Sequence, residues 1–370
     1  MYQNINKLHA GMSQKSRVFR SLPQSIVLVV IFTLSGSLNS CSLDSDQVGD
    51  FPIRDQSANV SLSQKNTFYV STWLIKYLTK SLLKGLDTEY PDLTIRMISP
   101  PDQDPARYVP DAQTLTELQT ARLIILNGAH FERGLEAVSL PLSRVVKSAS
   151  SIRDRWLKYP KSFSRGLHQH GPEGAHNHQG VDGHTWLDPR LLKSQLAQIK
   201  TRIRNAGFKV STAAHRHLTE QIDQLDQLWV KLSPALRQRE LVSNHPAYQY
   251  VSRRYQLKIT PFDLSPDEAP HPSQVKELHR HLLQQRSQQV SQGRHTPPIM
   301  LWESTPSTST LDTLKSLKLI HVVLNTLEQP PIKTKNSDSD APNPLQRYAE
   351  QLHHLTSVLE ISVESNTTSH

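Results

Sequence analysis

The chain has 370 residues, 36% of them hydrophobic, and a formal net charge of +9 from 42 Lys and Arg against 33 Asp and Glu. Its basic residues are scattered rather than gathered on one face with aromatic or groove-reading elements, which argues against nucleic-acid binding. The single cysteine excludes an intramolecular disulfide framework and a Cys-based zinc ribbon, so any metal site must be built from His and carboxylates.

At the amino end, Lys7, Lys15, Arg17 and Arg20 precede an apolar run from Ile26 to Leu34, followed by small polar residues and then Leu38-Asn39-Ser40-Cys41. A basic segment, a short apolar core and a small-residue cleavage site make residues 1–40 read as an export signal, whose apolar run is too short to span a bilayer. Cys41 stands where a bacterial lipobox places its lipid-modified residue. The mature chain is therefore expected on the periplasmic or extracytoplasmic face of a bacterial membrane, held by a lipid anchor at Cys41 without crossing the bilayer. Removing residues 1–40 takes away four basic and no acidic residues, which lowers the formal charge from +9 to +5. About 330 residues remain, more than one hydrophobic core usually organises, so two domains are expected. Residues 41–65 carry Asp44, Asp46, Gln47, Gln56, Ser61 and Ser63 without apolar periodicity and read as a flexible tether.

Short β-rich runs then alternate with helical patterns through a first lobe, residues 66–206. Strands are expected at Phe68 to Val70, Leu93 to Ile98 and Leu123 to Leu126, with helices around Leu74 to Leu86 and Ala112 to Gln119. Alternation of this kind favours a parallel sheet covered by helices. Five of the 18 histidines follow in a short Gly-rich stretch: His168, His170, His176, His178 and His184. Imidazoles this dense are good ligands for first-row metals, and Gly171, Gly174 and Gly180 predict a mobile loop over 168–184. Asp188 with Pro189 is a helix start rather than a metal ligand.

A helix from Pro189 to about Asn205 is followed by a longer one from about Thr212 to Arg237. In the second, Leu218, Ile222, Leu225, Trp229 and Leu232 recur at helical spacing and Pro234 lies near the end. Residues 207–238 are the expected link to a second lobe, 239–370. There strands are expected at Leu241 to Ser243, Ile259 to Phe262, Ile299 to Trp302 and Leu319 to Leu324, with helices at Gln274 to Gln285 and Leu345 to Leu359. The Pro-rich segment from Glu328 to Pro344 reads as a mobile loop. Histidines at 215, 217, 279, 281, 353 and 354 lie in helical or charged contexts, most of them on solvated helix faces.

In open α/β sheets ligands bind beyond the carboxyl ends of the strands. Those ends carry Asn127 and His130 in the first lobe and His245, Glu303 and Asn325 in the second, with His184 able to face the second set. A cleft between the lobes is the expected metal position.

Five stretches in this order resemble the metal-binding solute receptors of bacterial ABC importers, the zinc and manganese periplasmic binding protein family. They are Val70-Ser71-Thr72; Asn127-Gly128-Ala129 with Phe131-Glu132; Asp182 to Pro189 (DGHTWLDP); Ser243 to Leu257 (SNHPAYQYVSRRYQL); and Leu301 to Ser307 (LWESTPS). The resemblance implies two βα lobes with parallel sheets joined by one long helix, with the metal between them. It also implies delivery of Zn²⁺, or alternatively Mn²⁺, to an ABC permease by a monomeric, non-catalytic receptor. It assigns His184 and His245 as ligands, with Gly183 replacing the proline of the family motif. It also marks two departures. Asp104-Pro105-Ala106 stands where the family has Asp-Pro-His, and Asn325 stands where an Asp ends the last strand. Glu303, Asn325 or a histidine among 168, 170, 176, 178 and 130 then has to complete the site. Two other readings of the residues are a zinc-dependent hydrolase, for which no His-Glu-x-x-His occurs, and a surface zinc buffer or adhesin that uses the His-rich loop without transport.

Overall fold

Two four-stranded parallel sheets organise the chain. In the computed structural model the described residues are 65–159, 168–169, 175–176, 180–291, 296–330 and 343–367. The expected export signal, Cys41 and residues 42–64 of the expected tether lie outside them, whereas Lys65, expected in the tether, opens the first strand. The first lobe comprises β1 (Lys65–Val70), α1 (Trp73–Leu82), β2 (Thr94–Met97), α2 (Ala112–Thr120), β3 (Ala121–Leu126) and β4 (Val145–Lys147), with strand order β2-β1-β3-β4. All its strand pairs are parallel. The inner strands β1 and β3 are buried on both faces, which is why Phe68-Tyr69-Val70 and Leu123-Ile124-Ile125-Leu126 are near-continuous apolar runs. The three-residue edge strand β4 was not foreseen, because Val145 and Val146 alone are too short a run to register as a strand.

The His-rich stretch contains an antiparallel backbone pairing of β5 (His168–Gln169) with β6 (Ala175–His176), which sets His168 opposite His176. This corrects the expectation of a plain loop at those positions. His170, His178 and the side chains of His168 and His176 lie outside the described residues.

α3 (Pro189–Asn205) leads to the 25-residue α4 (Thr212–Leu236). The second lobe follows as β7 (Leu241–Ser243), α5 (Gln249–Tyr255), β8 (Ile259–Pro261), α6 (Pro272–Ser291), β9 (Ile299–Trp302), α7 (Thr308–Leu314), β10 (Ile320–Val323) and α8 (Pro344–Thr367), with sheet order β10-β9-β7-β8, again all parallel. The seven-residue α7 is too short for a helical period to show in the chain.

Side-chain oxygens start the helices that bear on the site. Thr72 accepts from the Ile75 amide (3.2 Å), Asp188 from the Arg190 amide (2.9 Å) and Ser211 from the Ala214 amide (3.1 Å). The apolar stripe of α4, Leu218, Ile222, Leu225, Trp229, Leu232 and Leu236, lies in a hydrophobic core that also takes in Val70 and Leu78 of the first lobe and Leu241, Ile299 and Leu352 of the second. A shared core of this kind resists wide separation of the lobes. The lobes are also joined at the first turn of α1, where the Trp73 and Leu74 amides donate to the carbonyls of Glu328 (2.8 Å) and Leu327 (3.2 Å). Those amides have no partner within their own helix, so the C-terminal lobe supplies it. Glu328 and Gln329 are thus fixed in place, the latter donating to the Gln103 carbonyl at 2.6 Å. The expected mobile loop from Glu328 to Pro344 is corrected at its start; residues 331–342 lie outside the described residues.

Candidate metal centre

His184 is presented from a loop whose shape is set by the end of β3. The fully buried Asn127 donates through Nδ2 to the Gly183 carbonyl (2.8 Å), while its Oδ1 accepts from Thr185 Oγ1 (3.1 Å) and Gln195 Nε2 (2.7 Å). Gly183 runs close against Phe131, where a Cβ would come within 2.6 Å of the Phe131 Cβ. The absence of a side chain at this position, the departure from the family's proline, is therefore matched to the neighbouring ring. Asp182, fully buried, holds His184 through one oxygen: Oδ1 lies 2.7 Å from Nδ1 and accepts the His184 amide at 3.0 Å. With Nδ1 occupied, Nε2 is turned across the cleft and lies 3.2 Å from Glu328 Oε1.

The second lobe brings three strand ends to the same place. His245 follows β7, and its ring centroid lies 5.7 Å from that of His184 at 76°. Two imidazoles bound to one tetrahedral ion through nitrogens about 2 Å from it have centroids about 5 Å apart, so the observed spacing is close to what a shared cation requires. Glu303 follows β9; its Oε2 is 3.4 Å from His245 Nδ1, and its Oε1 accepts from Asn244 Nδ2 at 3.2 Å. Among the described residues, no three His, Cys, Asp or Glu side chains are already arranged to enclose an ion. The imidazoles and carboxylates are paired with each other instead, His184 with Asp182 and Glu328, His245 with Glu303.

The pairing sets the local electrostatics. Burial disfavours an imidazolium at His184, but Asp182 and Glu328 outweigh it and push the pKa up to about 10. Burial, with the nearby charge of Glu328, pushes Glu303 up to about 7, against the opposing Asn244 hydrogen bond and the His184 charge. Both shifts favour the protonated forms in the cleft.

A family model described as zinc-uptake complex component A, periplasmic, matches residues 69–333. The chain belongs to this family. Its relatives include the zinc-binding lipoprotein AdcA of Streptococcus pneumoniae, 26% identical over 183 residues, which are 47% of this chain and 36% of AdcA. The chain thus matches only about a third of that protein's length. The high-affinity zinc uptake system protein ZnuA of Bacillus subtilis is 24% identical over 249 residues, 63% of this chain and 72% of ZnuA. Among solved structures, Zn(II)-bound AdcA from S. pneumoniae superposes with a TM-score of 0.59 at 17% identity, covering 79% of this chain and 57% of that one. The metal-dependent lipoprotein YcdH of B. subtilis gives 0.56 at 17% identity, over 77% and 97%. These structural likenesses establish the two-lobed fold.

Within this member of the zinc-uptake family, two of the expected site residues have other partners in the structure. His130 ends a left-handed run of Gly128, Ala129 and His130 (φ 79°, 53° and 59°), held by the buried Glu132 carboxylate accepting from the Asn127 (2.6 Å) and Gly128 (2.9 Å) amides. Its ring is largely exposed and Nδ1 pairs with Glu136 Oε1 at 2.6 Å. Asn325 reaches the cleft edge, but both ends of its amide serve the backbone: Nδ2 donates to the Glu303 carbonyl (2.9 Å) and Oδ1 accepts from the Leu327 amide (2.7 Å). That Asx turn, with the buried Leu327 at φ 63°, carries Glu328 back toward His184. Strand-end placement does not mark Glu328; the only local signal for its position is an Asn two residues ahead of a buried Leu, a turn that redirects the chain after β10. Ala106 is partly buried against the core, and its amide donates to Asp104 Oδ1 at 2.8 Å. Asp188 caps α3, as expected.

Restoring the family's acid by Asn325→Asp is expected to bring no gain in metal affinity. The new oxygen would face the Glu303 carbonyl without a proton between them, at a cost of about 1–3 kcal/mol. Thermal melting paired with a zinc titration checks this: a tighter site with unchanged melting would contradict the structural role.

Proposed function

We propose that this chain is an extracytoplasmic receptor that captures a divalent transition metal, Zn²⁺ first and Mn²⁺ second, and passes it to the permease of an ABC importer. The supporting observation is the meeting of His184 and His245 from opposite lobes, 5.7 Å between ring centroids, with the carboxylates of Glu328 and Glu303 beside them. In this reading the arriving cation takes the place of the proton between His184 and Glu328. His184 binds through Nε2 with Asp182 behind it, and His245, Glu328 and Glu303 supply the remaining donors. Asn325 leaves the ligand set for a structural role. Two imidazoles with carboxylates suit Zn²⁺ and remain acceptable to Mn²⁺.

Handover follows from a small parting of the lobes, since α4 and the shared core oppose a wide hinge. Among the described residues no helix is long and apolar enough to cross a membrane. A lipid on Cys41, with residues 42–64 as tether, would keep the monomeric receptor near its permease, and no reaction is catalysed.

The test is a zinc titration of the purified chain against a competing chelator, expected to show one tight site per chain. Glu328→Gln should weaken it by about 10–100-fold, at least the cost of losing an outer-shell partner. No zinc binding by the unaltered chain, or an unchanged affinity in the variant, would overturn respectively the reading or the place of Glu328 in it.

A further inference from the structure

Asp182 is held from both lobes. Its Oδ1 serves His184 through the ring Nδ1 (2.7 Å) and the amide (3.0 Å), with Tyr159 Oη at 3.4 Å, all within the first lobe. Its Oδ2 accepts from Gln249 Nε2 at 3.1 Å, and Gln249 opens α5 in the second lobe, four residues after His245. A carboxylate held at one oxygen can turn about its Cβ–Cγ bond and take the attached imidazole with it; one held at both cannot. The neighbouring Tyr250 also crosses between the lobes, but only to backbone. Its hydroxyl donates to the Asp182 carbonyl (2.9 Å) and accepts from the Leu157 amide (3.0 Å). Farther along α5, Arg254 is anchored to Asp226 of α4 by paired bonds of 2.6 Å, with its Nε 3.4 Å from Asp188 Oδ1 at the start of α3, so the helix is tied to the linking element.

We infer that Gln249 is a positioning residue for the metal ligand His184, acting through Asp182 from the opposite lobe, so that parting of the lobes itself loosens the imidazole that holds the cation. The inference rests on the metal-receptor reading above. Closure and ligand orientation become one event: only in the closed form does Oδ2 of Asp182 have its donor and the His184 ring its fixed direction. Outer-shell partners of metal-binding histidines set ring orientation, and their loss commonly costs about 10–100-fold in affinity. Here that loss is built into opening.

The experiment compares Gln249→Ala with Tyr250→Phe in the full chain. Both remove hydrogen bonding between the lobes, but only the first touches the Asp182 carboxylate. Cobalt(II) serves as the probe, because its visible d–d bands report the ligand field. Gln249→Ala is expected to alter the spectrum of the cobalt-loaded protein and to raise the zinc off-rate about tenfold. It should also broaden the downfield His184 Nδ1 proton resonance of the metal-free protein. Tyr250→Phe should leave both the spectrum and the resonance in place. A Gln249→Ala protein with the unaltered spectrum, the unaltered resonance and an off-rate no faster than that of Tyr250→Phe would reduce Gln249 to an ordinary interlobe contact and overturn the inference. Failure of the unaltered chain to bind cobalt or zinc would instead remove the receptor reading, and this inference with it.

Discussion

His184→Ala is expected to lower zinc affinity by about 100-fold or more and, separately, to lower the melting temperature of the metal-free protein. The affinity loss follows from removing one of the two imidazoles that face each other across the cleft. The stability loss has another source. Asp182 is fully buried, and its shortest bond is to the His184 ring at 2.7 Å. Removing one partner of a buried ion pair leaves an uncompensated charge and costs about 3–5 kcal/mol. His245→Ala provides the contrast. Its side chain is 18% exposed and faces a partly exposed Glu303 at 3.4 Å, so zinc affinity should fall as steeply while metal-free melting moves little. Competition titrations with parallel melting curves check both. Unchanged titrations in the two variants would remove these rings from the site, and equal melting shifts would refute the asymmetry.

The second large effect is pH dependence. His184 has a pKa raised from the ordinary 6.5 to about 10. Its imidazolium therefore stabilises the metal-free fold fully below about pH 6.5, and that contribution is lost as pH climbs through 10. Glu303, raised from 4.5 to about 7, is stabilising as the neutral acid, and its ionisation between those values also works against the metal-free protein. The metal-free melting temperature should thus fall toward alkaline pH. A bound divalent cation reverses the sign, because it replaces the protons. Below pH 10 each binding event must expel the His184 proton, so apparent affinity should rise about tenfold per pH unit from 7 to 9, and more steeply below 7, where Glu303 must also ionise. Calorimetric titrations in two buffers of different ionisation enthalpy measure the expelled protons directly. At least one should appear at pH 8; binding with none would exclude a protonated His184 as the resting state.

Much of the scaffold was legible in the chain. The apolar runs Phe68-Tyr69-Val70, Leu123 to Leu126 and Ile299 to Trp302 could be read as buried parallel strands because such strands have no solvent face to require polar alternation. The i, i+3, i+4 spacing from Leu218 to Leu232 marked the linking helix, since that stripe must lie against a core. What escaped was short or edge-placed: β4 and α7 have too few residues for a period to show. His184 and His245 could be singled out because each sits in a dense local motif, DGHTWLDP and SNHPAYQY. His130 could not be excluded by the same reasoning, because a polar residue just after a strand has the same sequence signature whether the next turn is right- or left-handed.

Sequence alone determined which residue types were available for a metal: one cysteine and many imidazoles leave only His and carboxylate donors, and strand-end placement puts several of them at one edge of each sheet. Tertiary structure alone decided which of them meet. Glu328 is brought beside His184, and both ends of the Asn325 amide are engaged by backbone, through one left-handed residue at Leu327 and one Asx hydrogen bond. Asp182 gains its second holder from a helix 67 positions away. Local propensity fixes elements within a few residues, whereas the direction of a side chain across a cleft depends on turn handedness and on the closure of two lobes, which no short window of sequence contains.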